Sequence, residues 1–242
     1  MDTLLPSATS ADERARPTRV AVLPIGSFEQ HGAYLPLSTD TVVACLIAKR
    51  LSDAYGLFLL PPVTISCSHE HAAFPGTVSI SATTLATIVT DVYQSLQAAD
   101  IDRLVIVNGH GGNYVLRNVV QQANAPNEHR LALFPTAEDW AEARSTAGCG
   151  SRSHEDMHAG ELEVSLLLHA APWLVRPGYE GFDQTVDDRR DLLTLGMDAY
   201  TTTGVIGRPS LATADKGSAI LESLSAAFAR VIPLLDPEPS RD

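Results

Sequence analysis

Three acidic or imidazole side chains follow a short apolar run near the N-terminus, in the segment GSFEQHGAYLPLSTDT. Glu29 and His31 lie two residues apart, a spacing that places both side chains on the same side of an extended chain. Asp40 is predicted to lie in the first turn of the next helix, where the helix dipole favours a carboxylate. A helix-capping aspartate beside a polar loop is the alternative. The three residues together, flanked by glycines, favour a metal site.

A second polar segment, NGHGGN, follows another apolar run. His110 lies among glycines, which let the backbone approach a ligand or adopt positive φ. The spacing differs from the dinucleotide-binding pattern G-x-G-x-x-G. His110 is therefore a candidate metal ligand, and the residues after it are candidates for substrate binding: Gly111, Gly112 and Asn113. A tight turn with a solvent-facing histidine is the alternative.

The segment HEDMHAGELE contains the pattern H-E-x-x-H, which in zinc proteases places two histidines on one face of a helix. Gly160, two residues after the second histidine, and the loop-like GCGSRS before the motif argue against such a helix. A helix that begins between Asp156 and His158 is predicted instead. The residues of this segment that could face a substrate pocket are His158, Glu161 and Glu163.

A fourth polar stretch, SHEH, ends at His71, a candidate residue of the substrate pocket; a polar loop is the alternative. Nucleophilic catalysis has little support, because G-x-S-x-G is absent and no cysteine has an activating neighbourhood. Oxygen and imidazole ligands together suit Zn²⁺ or Mn²⁺. About five such ligands with a shared carboxylate would hold two ions, which generate hydroxide near neutral pH and polarise a carbonyl. The predicted chemistry is hydrolysis.

The elements that must position these residues alternate between short apolar runs and longer helical patterns. Strands are predicted over 20–26, 57–63, 103–109 and 130–135, and helices over 39–51, 81–99, 113–123, 159–170 and 216–234. This alternation is typical of an α/β fold with a mostly parallel sheet covered by helices on both faces. Sites in such sheets form beyond the carboxyl ends of the strands. GSFEQHG and NGHGGN both begin at such ends.

The composition fits one domain. The chain has 242 residues, 45% of them apolar, and a net charge of -12. We predict a domain over 19–235 between a disordered tail over 1–18 and a second tail over 236–242. The negative charge disfavours nucleic acid as a partner, and no apolar run approaches the roughly 18 residues that span a membrane. Cys45, Cys67 and Cys149 are too few and too scattered for a disulfide framework, which predicts a reducing, cytoplasmic location.

Taken together, the motifs resemble the creatininase (creatinine amidohydrolase) family. The matching segments, in the family's order, are GSFEQHGAYLPLSTDT, HEHAAFPGT, NGHGGN, HAGELEVSLLL and GVIGRPSLATADKG. They extend from Gly26 to Gly217, so the combination is specific although each segment is short. The resemblance implies a three-layer α/β/α domain, a dinuclear zinc or manganese centre and a homohexamer.

By motif position, the resemblance also implies roles for individual residues. Four positions match metal ligands: Glu29, His31, Asp40 and His110. Asp40 is the implied bridge between two ions. Glu163 is the predicted remaining ligand, and Glu161, otherwise a candidate catalytic residue, is its competitor. His158 matches the proton shuttle that serves the leaving nitrogen.

Two positions depart from true creatininases. Those enzymes carry a glutamate two residues after the second-motif histidine and another directly before the H-A-G histidine, where this chain has Gly112 and Met157. Creatinine is therefore not the expected substrate. The wider family includes a formamide hydrolase of flavin and deazaflavin biosynthesis and a peptidase that trims the mycofactocin precursor.

The predicted function is a metal-dependent amidohydrolase that cleaves a non-standard C–N bond, such as a cyclic amide or formamide, by a metal-bridging hydroxide. Its substrate is expected to be a small molecule or a short peptide. A mycofactocin-type peptidase is the alternative within the same class. A catalytically silent oligomeric binding protein is the alternative from another class.

Overall fold

The computed structural model describes residues 5–125 and 129–235. Within these residues, one parallel sheet has the strand order β2-β1-β3-β4. Its strands are Val20–Ile25 (β1), Phe58–Leu59 (β2), Arg103–Asn108 (β3) and Leu131–Phe134 (β4). β1 pairs with β3 along its whole length, with Val20 opposite Arg103 and Ile25 opposite Asn108. The carboxyl ends of β1 and β3 therefore lie side by side.

Helices cover both faces of this sheet. They are Ser10–Ala15 (α1), Thr39–Tyr55 (α2), Ala82–Gln97 (α3), Val115–Ala123 (α4), Ala137–Thr146 (α5), Glu161–Ala170 (α6), Leu192–Leu195 (α7), Ala214–Ala227 (α8) and Ile232–Leu235 (α9). Alternate side chains of β1 point to opposite faces. Val20 and Val22 pack in the core formed with α2, α5, α6 and α8, whereas Ala21 and Leu23 pack in the core formed with α3 and α4. The predicted three-layer α/β/α fold is confirmed.

Strand β2 is shorter than predicted. It is limited to Phe58–Leu59, because Pro61 and Pro62 have no N–H to donate to a strand ladder. The N–H of Val63 then donates to the carbonyl oxygen of Pro24 at 2.9 Å, so the segment stays beside β1 without forming a continuous strand.

The last predicted helix is divided in two. α8 ends at Ala227, and Pro233 lies in the separate α9; a proline lacks the N–H that a continuous helix requires. By length and composition alone, Ala214–Leu235 is apolar enough to cross a membrane. In this fold α8 packs against α2, α5 and α6.

Part of the predicted N-terminal tail is helical. The side chain of Thr9 accepts a hydrogen bond from the N–H of Asp12, and the Asp12 carboxylate accepts one from the N–H of Thr9 at 2.7 Å. This capping box starts α1, whose residues are all unburied. The prediction of a disordered tail is thereby corrected for residues 10–15. The predicted tail positions 1–4 and 236–242 lie outside the described residues.

Candidate metal centre

The ends of β1 and β3 and the first turn of α2 meet at one point. A Cβ added to Gly26, directly after β1, would lie 2.3 Å from the backbone of Thr41. A Cβ added to Gly109, directly after β3, would lie 2.3 Å from the carbonyl oxygen of Asp40. Only glycine permits such an approach. The two glycines thereby allow α2 to bring Asp40 between the segments that follow β1 and β3.

Backbone carbonyls hold two buried histidines of these segments. Nδ1 of His31 lies 3.1 Å from the carbonyl oxygen of Glu29, and Nε2 of His110 lies 2.8 Å from the carbonyl oxygen of Cys67. Because a carbonyl oxygen only accepts hydrogen bonds, these two ring nitrogens carry the protons. In the neutral form of each ring, Nε2 of His31 and Nδ1 of His110 are left with lone pairs.

Both lone pairs point at carboxylate oxygens. Nε2 of His31 is 3.1 Å from Oδ1 of Asp40, while Nδ1 of His110 is 3.0 Å from Oδ2 of Asp40 and 3.1 Å from Oε1 of Glu29. The fully buried Glu29 carboxylate receives no hydrogen bond from the described residues. Such an arrangement is repulsive unless positive charge lies among these atoms, and an uncompensated buried carboxylate is costly. The donor set therefore fits a metal cation.

The electrostatics of the cluster point the same way. Burial opposes charge on His31, but Asp40 outweighs it and raises the pKa of His31 to about 9. Against the same burial, Glu29 and Asp40 raise the pKa of His110 well above its usual value. Burial also raises the pKa of Glu163 to about 7. The cluster thus attracts a proton or another cation.

The ligand atoms fall into two sets that share Asp40. Glu29, Asp40 and His110 form one set, and His31, Asp40 and Glu163 form the other. Within each set the ligand atoms lie within 4.8 Å of one another. The two oxygens of Asp40 face different histidines, so this carboxylate lies between the sets. The structure brings together all five residues predicted as metal ligands.

The start of α6 distinguishes the two glutamates of HAGELE. Asp156 accepts hydrogen bonds from the N–H groups of Glu161 at 2.6 Å and Leu162 at 3.1 Å. These bonds satisfy free donors of the first turn, so α6 begins at Glu161 and not at 156–158 as predicted. Residues two apart on a helix point in nearly opposite directions. Glu163 points toward His31, with Oε1 3.9 Å from Nε2.

Glu161 points away from the cluster. Its carboxylate accepts hydrogen bonds from Nζ of Lys216 at 2.6 Å and from the N–H groups of Gly150 and Ser151 at 2.9 Å. Although burial opposes the charge, these partners lower the pKa of Glu161. The structure does not bring the predicted catalytic residue Glu161 to the cluster, because its carboxylate is engaged in linking α6 to α8 and to the preceding loop.

His158 lies before α6, not on it. Two backbone hydrogen bonds, of 2.9 and 3.1 Å, join it to Ile206. Its ring centroid lies 4.2 Å from that of His31 and 4.5 Å from that of His71. Burial and the neighbouring histidines lower the pKa of His158 well below its usual value. The ring is therefore neutral near pH 7, and its Nδ1 lies 3.7 Å from Oε1 of Glu29.

The other histidine of H-E-x-x-H does not join this cluster. His154 is exposed, and its Nε2 donates to the carbonyl oxygen of Asp187 at 2.7 Å. Neither His154 nor His158 is in a helix. The zinc-protease arrangement is therefore not formed, as argued from Gly160.

A cavity of about 570 Å³ lies over the cluster. Three of the predicted substrate-binding residues line it: His71, Gly111 and Gly112. The wall also includes residues that sequence reasoning did not identify as site residues: Glu70, Tyr114, Met157, Arg189, Arg190 and Leu192. Of these, only Glu70 and Met157 lie within the polar segments SHEH and HEDMHAGELE.

The fourth predicted substrate-binding residue, Asn113, has a structural position. Its Oδ1 accepts a hydrogen bond from the N–H of Cys67 at 3.2 Å, and its Nδ2 donates to Oδ1 of Asn108 at 3.0 Å. The side chain is buried and is not part of the cavity wall. The structure does not bring this predicted substrate-binding residue to the cavity wall, because its amide joins the end of β3 to the neighbouring segment.

Glu70 occupies the space beside Gly112. A Cβ added to Gly112 would lie 2.0 Å from Oε1 of Glu70 and 2.4 Å from Nε2 of His110. Oε1 of Glu70 is itself 3.5 Å from Nε2 of His110. The glycine thus allows a carboxylate from another segment to approach the outer nitrogen of a predicted ligand.

Sequence comparisons identify the family of the chain. The family model for Creatininase (creatinine amidohydrolase) matches residues 6–232. Mycofactocin precursor peptide peptidase of Mycobacterium ulcerans (strain Agy99) is 36% identical over 216 residues, which cover 84% of this chain and 80% of that protein. Creatinine amidohydrolase of Pseudomonas putida is 26% identical over 226 residues, which cover 84% of each chain. These relatives are hydrolases.

Solved creatininases share the fold. A Zn-Zn type mutant creatininase is 22% identical, with a TM-score of 0.80 over 98% of this chain and 100% of that chain. A manganese creatininase is 22% identical, with a TM-score of 0.76 over 96% of this chain and 98% of that chain. Because the family model covers most of the residues and a relative exceeds 30% identity, the chain belongs to the creatininase family.

Proposed function

We propose that this protein is a metal-dependent hydrolase that cleaves an amide C–N bond in a short peptide, with two zinc or manganese ions as cofactors. The observation that carries the proposal is the pair of ligand sets sharing Asp40. In both sets, a backbone carbonyl binds the histidine nitrogen that points away from the carboxylates of that set. The Zn-Zn and manganese creatininases support this choice of metals.

In this proposal the chain supplies both the ligands and a proton carrier. Glu29, His31, Asp40, His110 and Glu163 would hold the ions. Such ions supply hydroxide near neutral pH and polarise a carbonyl group. The neutral ring of His158 takes up a proton at Nδ1 and delivers it to the departing nitrogen, a contribution of roughly 10²–10⁴ in rate.

Two observations favour a peptide as the substrate over a small cyclic amide. The mycofactocin precursor peptide peptidase is 36% identical to this chain, whereas the creatinine amidohydrolase is 26% identical. Gly112 and Met157 replace the glutamates that the family resemblance links to creatinine.

Metal content and hydrolysis test this proposal together. Protein purified without chelator is expected to contain about two zinc or manganese ions per chain by elemental mass spectrometry. It should cleave a mycofactocin-type precursor peptide, followed by liquid chromatography and mass spectrometry, faster than creatinine or formamides. Glu29→Gln should lose the metal, whereas the control Glu222→Gln, at an exposed position of α8, should retain metal and activity.

Two results would overturn parts of the proposal. Cleavage restricted to cyclic amides or formamides would exclude the peptide substrate. It would support instead the amidohydrolase of non-standard C–N bonds that the sequence predicts. Failure to bind either metal after incubation would exclude the hydrolase mechanism and favour a catalytically silent binding protein.

Assembly and location extend the proposal. We propose a homohexamer, as the family resemblance implies, acting in the cytoplasm, where its three free cysteines would stay reduced. Light scattering after size exclusion should give about six times the chain mass of 25.8 kDa. A monomeric mass would contradict the assembly without affecting the metal site.

A further inference from the structure

The side chain of Gln30 contacts the two histidines of the cluster that are not among the five predicted ligands. Gln30 is buried between Glu29 and His31 in the sequence. Its Nε2 lies 2.9 Å from Nδ1 of His71 and 3.2 Å from Nε2 of His158. The proposed function gives this amide no role.

Backbone groups determine the orientation of the Gln30 amide. Its Oε1 accepts a hydrogen bond from the N–H of Gly32 at 3.0 Å, and its Nε2 donates to the carbonyl oxygen of Gly204 at 3.0 Å. An N–H only donates and a carbonyl oxygen only accepts, so exchanging the amide oxygen and nitrogen would break both bonds. Gly204 has φ +80°, and a Cβ there would lie 1.8 Å from Oε1 of Gln30. The backbone is thus shaped around this amide.

This orientation determines where His71 carries its proton. One amide hydrogen of Gln30 is used by Gly204, and the other faces Nδ1 of His71. Nδ1 must therefore accept, so the proton of the neutral ring is on Nε2. Nε2 lies 3.4 Å from Oε1 of Glu29. His71 accordingly presents an N–H donor to the cluster.

The backbone of the same residue determines the proton of His158. Nε2 of His158 lies 2.6 Å from the carbonyl oxygen of Gln30 and must donate to it. The 3.2 Å contact between this nitrogen and the Gln30 amide nitrogen therefore joins two donors. The lone pair of His158 is left on Nδ1, which faces Oε1 of Glu29 at 3.7 Å. His158 presents an acceptor to the cluster.

We infer that Gln30 is a positioning residue that fixes the tautomers of two histidines beside the candidate metal centre: the His71 proton is on Nε2, and the lone pair of His158 is on Nδ1. Its side-chain amide acts on His71, and its backbone carbonyl acts on His158. The catalytic consequence rests on the proposed function: His158 receives the proton that is to be moved, while His71 stabilises negative charge on the cluster side. The positions of the ring protons do not depend on that function.

The side-chain amide and the backbone carbonyl of Gln30 act on different histidines, so a side-chain substitution should affect only His71. Ring ¹⁵N chemical shifts distinguish protonated from unprotonated histidine nitrogens and can be recorded on the zinc-loaded protein, since Zn²⁺ is d¹⁰. The wild type should show protons on Nε2 of both His71 and His158. In Gln30→Glu the carboxylate accepts only, so the His71 proton should move to Nδ1, whereas His158, held by the backbone, should not change.

A second variant and a matched control complete the test. Gln30→Met removes the amide donor, so the His71 proton should distribute between Nδ1 and Nε2. The His158 proton should stay on Nε2. Gln184→Glu makes the same chemical change in an amide that bonds Tyr200, Thr201 and Thr203, and should alter neither histidine. Circular dichroism and thermal unfolding verify the fold. Unchanged His71 shifts in both Gln30 variants would overturn the inference.

Kinetics separate this inference from the proposed function. With metal content unchanged, Gln30→Met should lower kcat by about 10- to 100-fold and alter KM less, as expected when the partner of a site histidine is removed. Loss of metal in proportion to activity would instead show that Gln30 acts through the ligands. If the wild type hydrolyses no amide, the proposed function fails while the ring-proton positions are still decided by the ¹⁵N shifts.

Discussion

In the described part of the chain, four buried histidines surround Glu29, and they divide into two pairs. The carboxylate-facing pair, His31 and His110, and the amide-facing pair, His71 and His158, are equally inaccessible, at 0–5% exposure. The pKa is raised in the carboxylate-facing pair and lowered in the amide-facing pair. Carboxylate oxygens approach the first pair to 3.0–3.1 Å and the second pair only to 3.4–3.7 Å. This closer approach, and not the degree of burial, therefore decides the charge of each ring. In the proposed function, the carboxylate-facing pair would hold the cations and the amide-facing pair would move protons.

The carboxylate-facing pair depends most strongly on Asp40. Asp40→Asn removes the charge that both rings share, so we expect metal affinity to fall by more than about 100-fold, beyond the usual cost of an outer-shell change. Activity should fall to background. Zinc titration calorimetry and elemental mass spectrometry measure the loss, with Asp53→Asn at the exposed end of α2 as the control. Retention of two ions by Asp40→Asn would contradict the dependence of the carboxylate-facing pair on Asp40.

The amide-facing pair should affect turnover without affecting metal binding. His158→Ala is expected to lower kcat by roughly 10²–10⁴-fold, the range for a lost general acid or base. Metal content should be unchanged. His169→Ala, at an exposed histidine of α6 that does not line the cavity, is the control. His158 also forms a potential ligand group with Glu29 and His31. A loss of metal that parallels the loss of activity would therefore indicate that His158 is itself a metal ligand.

The comparison also predicts how the stability of metal-free protein depends on pH. His31 has a folded pKa of about 9 against a reference of 6.5, so its stabilisation is fully present below pH 6.5 and is lost as pH rises through 9. The shift corresponds to about 3 kcal/mol. Urea unfolding of chelated protein should show this decrease, and Asp40→Asn should remove most of it. Equal stability of the chelated protein at pH 6.5 and at pH 9 would contradict the role assigned to Asp40.

The smallest predicted effect distinguishes the two glutamates of α6, of which only Glu163 is a proposed metal ligand. Glu161→Gln should lower the free energy of unfolding by about 1–3 kcal/mol, since it weakens hydrogen bonds to a charged group, while the metal is retained. The matched change Glu163→Gln should lower metal content. Denaturant titration and elemental analysis of the two variants measure the difference. A reversed outcome would exchange the roles of the two glutamates.

Much of the fold, and the grouping of the candidate ligands, could be predicted because local pattern determines them. Apolar runs predicted β1 and β3, and their parallel pairing brings Glu29, His31 and His110 to one edge of the sheet. Asp40 follows from the start of α2, which the helical pattern predicted correctly at Thr39. Ligands attached to element ends are therefore accessible to sequence reasoning.

Contacts between distant segments could not be predicted in this way. The amide of Gln30 bonds residues 41 and 174 positions away, at His71 and Gly204. Likewise, the start of α6 depends on Asp156, whose carboxylate is also held by Arg144 at 2.7 Å. No local periodicity encodes such partners, so the choice between Glu161 and Glu163 stayed open until the helix start was known.

The glycine contacts at the ends of β1 and β3 have an evolutionary consequence. A side chain at Gly26 or Gly109 would displace α2 and with it Asp40, so these positions do not tolerate change whatever bond is cleaved. The wall residues 189–192 belong instead to a surface segment near α7, remote from the sheet in the chain. Reaction chemistry and substrate choice can therefore be inherited separately, and new selectivity can arise on this scaffold by changing the wall while the ligands stay in place.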